Sequence, residues 1–368
     1  MKLAIVVDTF PCWSERFIAR EVAELRRRGV DLTVFCLNAG HLTNENDHDW
    51  TDLLKNRIVL PSRFFKIFRV ATLRKLLRGN FQHVHAHFAS LPSTLAWRAA
   101  MAEKISFSMS VHARDLWVES QMLRQKIADA TCVFACHTQS YEYLVKIAPH
   151  AEKVVLMRHG LPLNQFPFTP RLMLKKNKTM RFLAAGRFVP KKGFNELIEA
   201  LALPTFAEKK FVLTLLGDGP KRKKLAAQIK QRNLEKKIVI QPPAGGSELR
   251  EIFNQADAFL APYQQAPDGD SDGVPNVVLE AFALGLPVIG TSAGGLKEVL
   301  TLETGYVVTA EKIAALGKTA ALANAILEFL AAPEKALAKT TAARALVERE
   351  YDIRKNITPL LELVEIVH

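Results

Sequence analysis

Four cysteines stand among the 368 residues, Cys12, Cys36, Cys132 and Cys136, and no two form a C-x-x-C pair. Such a set excludes a disulfide framework and the common dithiol and zinc motifs, and reads as buried free thiols in a reducing compartment. No apolar run approaches the roughly 18 residues needed to cross a bilayer. The opening M-K-L-A-I-V-V-D has only five apolar residues before Asp8, too short for a secretory core segment, so the expected location is cytoplasmic. Aromatic residues are sparse at 8%, and no single-strand or groove-reading motif accompanies them, so nucleic acid is not an expected partner. No strand-like run is followed by G-x-G-x-x-G, which argues against a dinucleotide-dependent dehydrogenase. Acids are outnumbered 37 to 50 by lysine and arginine, a net charge of +13. That excess favours an anionic partner, either a phosphorylated ligand, a membrane surface or nucleic acid, without choosing among them.

What is present is a repeating order of short apolar runs and amphipathic segments. Strand-like runs fall at 3–7, 31–37, 83–88, 107–112, 131–136 and 153–157. The helical pattern E-R-F-I-A-R-E-V-A-E-L-R-R-R-G ends at Gly29, a usual stop signal. The order pauses at L-P-L-N-Q-F-P-F-T-P-R, where Pro162, Pro167 and Pro170 forbid a continuous element. It resumes with runs at 181–185, 211–216, 237–240, 258–261, 287–290 and 305–308, and from about Lys312 only helical segments follow. The pattern predicts two consecutive α/β domains with parallel sheets covered on both faces, whose ligands belong at the carboxyl ends of strands and in a cleft between the halves.

Three stretches of the second half carry chemistry. In A-A-G-R-F-V-P-K-K-G, Gly186 and Arg187 end a strand and Lys192 precedes a helix opened by Gly193. A guanidinium fork and an ammonium beside a helix N-terminus suit a diphosphate, although two solvated cations would read the same way. The second stretch, L-L-G-D-G-P, places Gly217 and Gly219 where backbone can turn sharply and approach a ligand; any tight strand-to-helix turn shares this look. The third reads D-G-V-P-N-V-V-L-E-A. Here Gly273, Val274, Pro275 and Asn276 open a helix, with Pro275 expected at or near its first position, Asp272 outside it and Glu280 within an apolar run. A carboxylate at that depth is costly unless something binds it. Glu280 can accept two hydrogen bonds from a vicinal diol such as a ribose, and Asp272 would lie near whatever the diphosphate carries.

In this order and spacing the three stretches resemble the retaining glycosyltransferases of family 4. Asp272-Gly-Val-Pro-Asn-Val-Val-Leu-Glu280-Ala matches the family's E-x7-E element, and Gly186, Arg187, Lys192 and Gly193 its G-R-x-x-x-x-K-G element. Gly217, Gly219 and Pro220 match G-x-G-P. In the first half, T-F-P-C-W-S-E-R-F-I, V-H-A-H-F-A-S and S-V-H-A-R-D-L-W resemble exopolysaccharide and lipopolysaccharide members, as does E-Y-D-I-R-K-N near the end. The resemblance implies a GT-B fold, two Rossmann-like domains with a final helix crossing back to the first. Residues 1–165 with about 351–368 would bind the acceptor, and 166–350 the nucleotide-sugar donor, a UDP- or GDP-sugar. It further implies a diphosphate held by Arg187 and Lys192, a ribose on Glu280, His112 near the transferred sugar, net retention, and no metal or cofactor. Asp272 departs from the usual first Glu by one methylene, which bears on donor selectivity. A GT-B epimerase or phosphorylase is the alternative within enzymes; the pyridoxal-binding lysine of a phosphorylase is not identifiable.

Other features have plainer readings. His83, His85 and His87 alternate in H-V-H-A-H-F and share a strand face, suggesting packing, with His87 toward the cleft, rather than zinc. Arg114 and Asp115 are expected to pair, and Ser14 to cap the helix that follows it. Asp268, Asp270 and Asp272 lack the terminal Glu of a calcium loop. Residues 63–78 hold six cations and no acid. They predict a helix half packed through Phe64, Ile67, Phe68 and Ala71, with a basic rim near anionic lipid.

Overall fold

A computed structural model describes residues 2–40, 53–54, 56–61, 66–118, 121–170 and 178–366. The chain divides into two compact units, Met1–Pro162 with Tyr351–His368, and Leu163–Glu350.

The first unit holds β1 (Lys2–Phe10), β2 (Asp31–Ala39), β3 (Arg57–Val59), β4 (His83–His87), β5 (Ser106–Val111), β6 (Cys132–Ala135) and β7 (Val154–Leu156). They form one parallel sheet in the order β3-β2-β1-β4-β5-β6-β7. The period of two along a strand divides the side chains between two cores. Ala4 and Val6 join Phe35, Leu73, Leu77 and Met109 on one face, whereas Leu3, Ile5 and Val7 join Ile18, Val22 and Leu25 on the other. This two-sided burial is why β1 reads as an unbroken apolar run. Strand β3 escapes that signature because it is a three-residue edge strand whose Ile58 and Val59 are exposed.

Tyr351–His368 completes this first unit. Leu161 N donates to Tyr351 O and Ile353 N to Leu161 O, and Ile357, Leu360, Leu363 and Val364 fill the core beside β1. The returning C-terminal helix is therefore a structural part of the unit. Two local expectations fail. The helix Arg16–Arg27 has no side-chain cap, because the Ser14 hydroxyl lies 3.3 Å from Cys12 Sγ instead. In the helix Lys66–Leu77, the packed face is Arg69, Leu73 and Leu77, while Phe68 is 61% exposed. Arg69 is drawn inward by the carbonyls of Pro61 and Leu37, which rotates the helix away from the predicted face. Phe64 lies outside the described residues.

The second unit repeats the plan with β8 (Met180–Ala185), β9 (Phe211–Leu216), β10 (Ile238–Gln241), β11 (Ala258–Ala261), β12 (Val288–Thr291) and β13 (Tyr306–Val308), all parallel, in the order β10-β9-β8-β11-β12-β13. Phe182, Leu213, Leu215, Ile289 and Phe329 centre its core. Both sheets reverse strand order beside their first strand, the point at which such sheets open for ligands. Among the described residues no single helix is long and apolar enough to cross a membrane.

The histidine triplet of β4 is a core feature. Ser106, Ser108 and Ser110 lie opposite on β5, and their hydroxyls take all four ring nitrogens of His83 and His85 at 2.6 to 3.0 Å. His87 is likewise buried, with Nε2 3.6 Å from the Glu21 carboxylate. Burial drives His83 and His87 down to about 4 and His85 well below its ordinary value. These groups are neutral when folded and protonate readily when unfolded, so their stabilisation is complete above pH 6.5 and is lost toward pH 4. Unfolding by urea is expected to show a loss of up to about 3 kcal/mol per histidine between pH 7 and pH 4.5. A His83→Gln variant should be less sensitive over that interval.

Candidate active site

In the second unit the predicted Lys192 and its neighbour Lys191 converge on the Asp272 carboxylate. Strand β8 ends at Gly186, and the chain descends through the single turn Pro190–Lys192 before the helix Phe194–Leu201. The turn is held by Gln264, whose backbone N–H donates to Lys191 O (2.9 Å) and whose side chain donates to Pro190 O (2.8 Å). Lys318 in turn donates to the Gln264 side chain. So fixed, Lys191 and Lys192 both lie buried, an unusual state for lysine that requires partners.

The partners come from the loop after β11. Lys192 Nζ is 2.7 Å from Asp272 Oδ2, Lys191 Nζ is 3.2 Å from Asp272 Oδ1, and Lys191 Nζ is also 2.9 Å from Asp270 Oδ1. Burial raises the Asp272 carboxyl, but Lys192 and Lys191 outweigh it and hold the group below its usual range. Lys192 also sits over the Tyr263 ring, 4.1 Å from its centroid. The Tyr263 phenol is pushed well above its ordinary range by burial and then by the Asp272 and Glu280 carboxylates. Its hydroxyl is buried without a hydrogen-bond partner among the described residues.

Glycine makes this packing possible at two positions. A Cβ on Gly186 would lie 3.0 Å from Lys192 Cε, and one on Gly217 would meet the Gly186 carbonyl oxygen at 2.0 Å. Gly219 follows in the same turn, where Phe188 N donates to Asp218 O. Beyond Asp272, Gly273 and Val274 lead to Pro275. Pro275 is the cap of the helix Asn276–Ala283 rather than its first residue, because the ladder begins with Val278 N donating to Pro275 O. The N–H groups of Asn276 and Val277 precede that ladder, at the positive end of the helix. Glu280 is 2% exposed and four residues in, about 6 Å along the axis.

Arg187, by contrast, is exposed, and its side chain forms no hydrogen bond or ion pair among the described residues, although its backbone carbonyl accepts from Val189 N at 2.9 Å. The structure thus gathers Lys192, Asp272 and Glu280 around Tyr263 and leaves Arg187 outside the ionic network. Sequence reasoning passed over Lys191 and Tyr263, and weighed Asp270 only as part of a calcium loop. The doubled lysine in P-K-K-G and the Tyr ending A-P-Y were the available signals.

In the first unit, His112 follows β5 and is buried. Arg114 is exposed, whereas Asp115 is 2% exposed. Its carboxylate accepts from the N–H of His112 at 2.9 Å and of Ala89 at 2.5 Å, locking the ends of β4 and β5 together. Buried Lys126 braces the same corner, donating to Ala89 O (2.6 Å) and Ser93 Oγ (3.1 Å). His159 Nε2 lies 3.3 Å from His112 Nδ1, and Glu21 accepts from His159 Nδ1 at 3.0 Å. Among the described residues, His112, Cys136 and His159 form the one group with donor atoms close enough for a metal, all within 4.8 Å.

Comparisons with known proteins bear on the family and the fold. The model described as Glycosyltransferase Family 4 matches residues 14–165, and that described as Glycosyl transferases group 1 matches residues 169–345. The amylovoran biosynthesis glycosyltransferase AmsK of Erwinia amylovora is 24% identical, with 99% of each chain covered. The glycogen synthase of Mycobacterium tuberculosis is 25% identical over 83% of this chain and 64% of its own length. The crystal structure of Anabaena HepE in complex with UDP-glucose matches with a TM-score of 0.77 at 18% identity, covering 99% of each chain. That last likeness bears on the fold alone.

The ionic network predicts unequal costs for removing Lys191, which belongs to it, and Arg187, which does not. Lys191→Met removes the ammonium shared by buried Asp270 and partly buried Asp272 and is expected to lower stability by about 3 kcal/mol. Arg187→Met is expected to cost under about 0.5 kcal/mol, since its side chain is solvated. Thermal unfolding of the two variants beside the parent checks this; equal stability would remove the network.

Proposed function

The chain belongs to the group 1 glycosyltransferases of family 4, with the two parallel-sheet domains of the GT-B fold, and from that premise we propose a specific reaction. It transfers a hexose-type sugar, with net retention, from a UDP- or GDP-sugar to a saccharide or lipid-linked saccharide in exopolysaccharide biosynthesis. The kinship with AmsK supports the biosynthetic setting.

The observation that carries the reading is the buried pair Lys191 and Lys192 beside the helix Asn276–Ala283. Departure of a nucleoside diphosphate builds negative charge on phosphate oxygens. Fixed ammonium groups, the free guanidinium of Arg187 and the N–H groups opening that helix answer this charge without reorganising. On this scheme fixed cations take the part a divalent metal plays elsewhere, so the reaction runs in chelator. Glu280 accepts from the ribose hydroxyls, and His112 serves the transferred sugar. No carboxylate is needed as a covalent nucleophile, since the departing phosphate can take the acceptor proton on the same face. Peripheral contact with anionic lipid at the inner membrane face draws support from Phe68, exposed on a helix that carries Lys75.

Calorimetric titration with UDP and with GDP in EDTA tests the reading. One nucleotide should bind without metal, and Arg187→Ala and Glu280→Ala should each weaken it by about tenfold, the worth of one charge-assisted hydrogen bond. Failure to bind either nucleotide would overturn the donor assignment.

A further inference from the structure

Glu21, His159 and His112 form a chain of hydrogen bonds whose direction is fixed at one end. A carboxylate can only accept, so the 3.0 Å contact makes His159 donate from Nδ1 to Glu21 Oε1. When His159 is the neutral imidazole, with one donor and one acceptor, its Nε2 carries a lone pair. The 3.3 Å contact between His159 Nε2 and His112 Nδ1 therefore requires His112 to donate from Nδ1. His112 Nε2 is left as a bare acceptor, and it is buried without a hydrogen-bond partner among the described residues.

The surroundings enforce the arrangement. Glu21 and His112 are 3% and 7% exposed, and the His112 and His159 rings stack with planes 14° apart. Phe17 lies against both, with centroids 4.0 Å from His159 and 4.9 Å from His112. Asp115 holds the His112 backbone from the other side. Neighbouring groups are His87, whose Nε2 is 3.6 Å from Glu21 Oε2, together with His85, His137 and Cys136. Burial, reinforced by these histidines, holds His112 well below its ordinary value and thus neutral. A buried lone pair with no donor is unfavourable, and a ligand that supplies an O–H relieves it.

We propose that Glu21 and His159 are positioning residues that lock His112 in the Nδ1–H tautomer, so that Nε2 accepts a hydrogen bond from a hydroxyl of the transferred sugar. The sugar's part rests on the transferase reading above; the tautomer does not. No proton is transferred in this step. The ring orients a hydroxyl, and Glu21 and His159 fix which face of the hydrogen bond it offers.

The test separates the two levels. Nitrogen-15 NMR of histidine-labelled protein, with His112 assigned by a His112→Gln variant, should show Nδ1–H and unprotonated Nε2 at neutral pH. In His159→Phe, which keeps the ring volume, and in the gentler Glu21→Gln, His112 should revert in part to Nε2–H, the form favoured in water. In the transfer assay, His159→Phe should lower kcat about tenfold with little change in donor KM. A merely structural role would move stability and leave the tautomer as it was. Nε2–H in the parent protein, or an unaltered tautomer in both variants, would overturn the proposal. So would stoichiometric zinc retained by the purified protein, since a metal on His112, Cys136 and His159 would replace the proton bridge. Absence of transferase activity with the expected tautomer would count against the reaction and leave the relay standing.

Discussion

Asp272 sits between two buried ammonium groups, at 2.7 Å from Lys192 and 3.2 Å from Lys191, and the second unit's loops after β8 and β11 are arranged around that grip. Buried lysines are tolerable only with an anion in reach, so the loop carrying Asp270 and Asp272 and the turn carrying Lys191 and Lys192 must fold against each other. The Gln264 hydrogen bonds, the bare Gly186 and the helix cap at Pro275 all serve that approach. Without a ligand the charges nearly balance internally. On the proposed reading, an entering diphosphate exchanges one set of ion pairs for another instead of neutralising naked cations. Binding is then a difference between two large terms, which favours selectivity and product release over raw affinity.

Asp272 also answers what its short side chain does there. A carboxylate on one methylene reaches both ammonium groups while its backbone carbonyl accepts from Gly295 N at 2.9 Å. Glu280 lies buried in the helix, and both it and Asp272 bear upon the Tyr263 phenol. The two acids of the motif therefore have different work. On the proposed reading, one balances the cations that receive phosphate, and the other accepts from ribose hydroxyls.

The fold was largely legible because both sheets are parallel and buried on both faces, so their strands print as dense apolar runs. Twelve of these runs correspond to strands. The exception, β3, is an exposed edge with no such density. The helix Lys66–Leu77 was misread because a periodicity argument treats arginine as outward-facing, whereas Arg69 finds two carbonyls inside. At the site, spacing and turn chemistry singled out Gly186, Lys192, Gly217, Asp272 and Glu280. Residues whose role arises only from three-dimensional convergence stayed hidden. Glu21 and His159 are 138 positions apart in sequence, and Asp115 acts through backbone N–H groups that no sequence pattern displays.

The measurement that bears most directly on this account is a crystal structure with the nucleoside diphosphate that binds in chelator. The account predicts phosphate oxygens within about 3 Å of Lys192 Nζ, with Arg187 drawn in from solvent and both ribose hydroxyls on Glu280. A nucleotide bound elsewhere, with Lys192 still closed on Asp272 and Glu280 untouched, would contradict it.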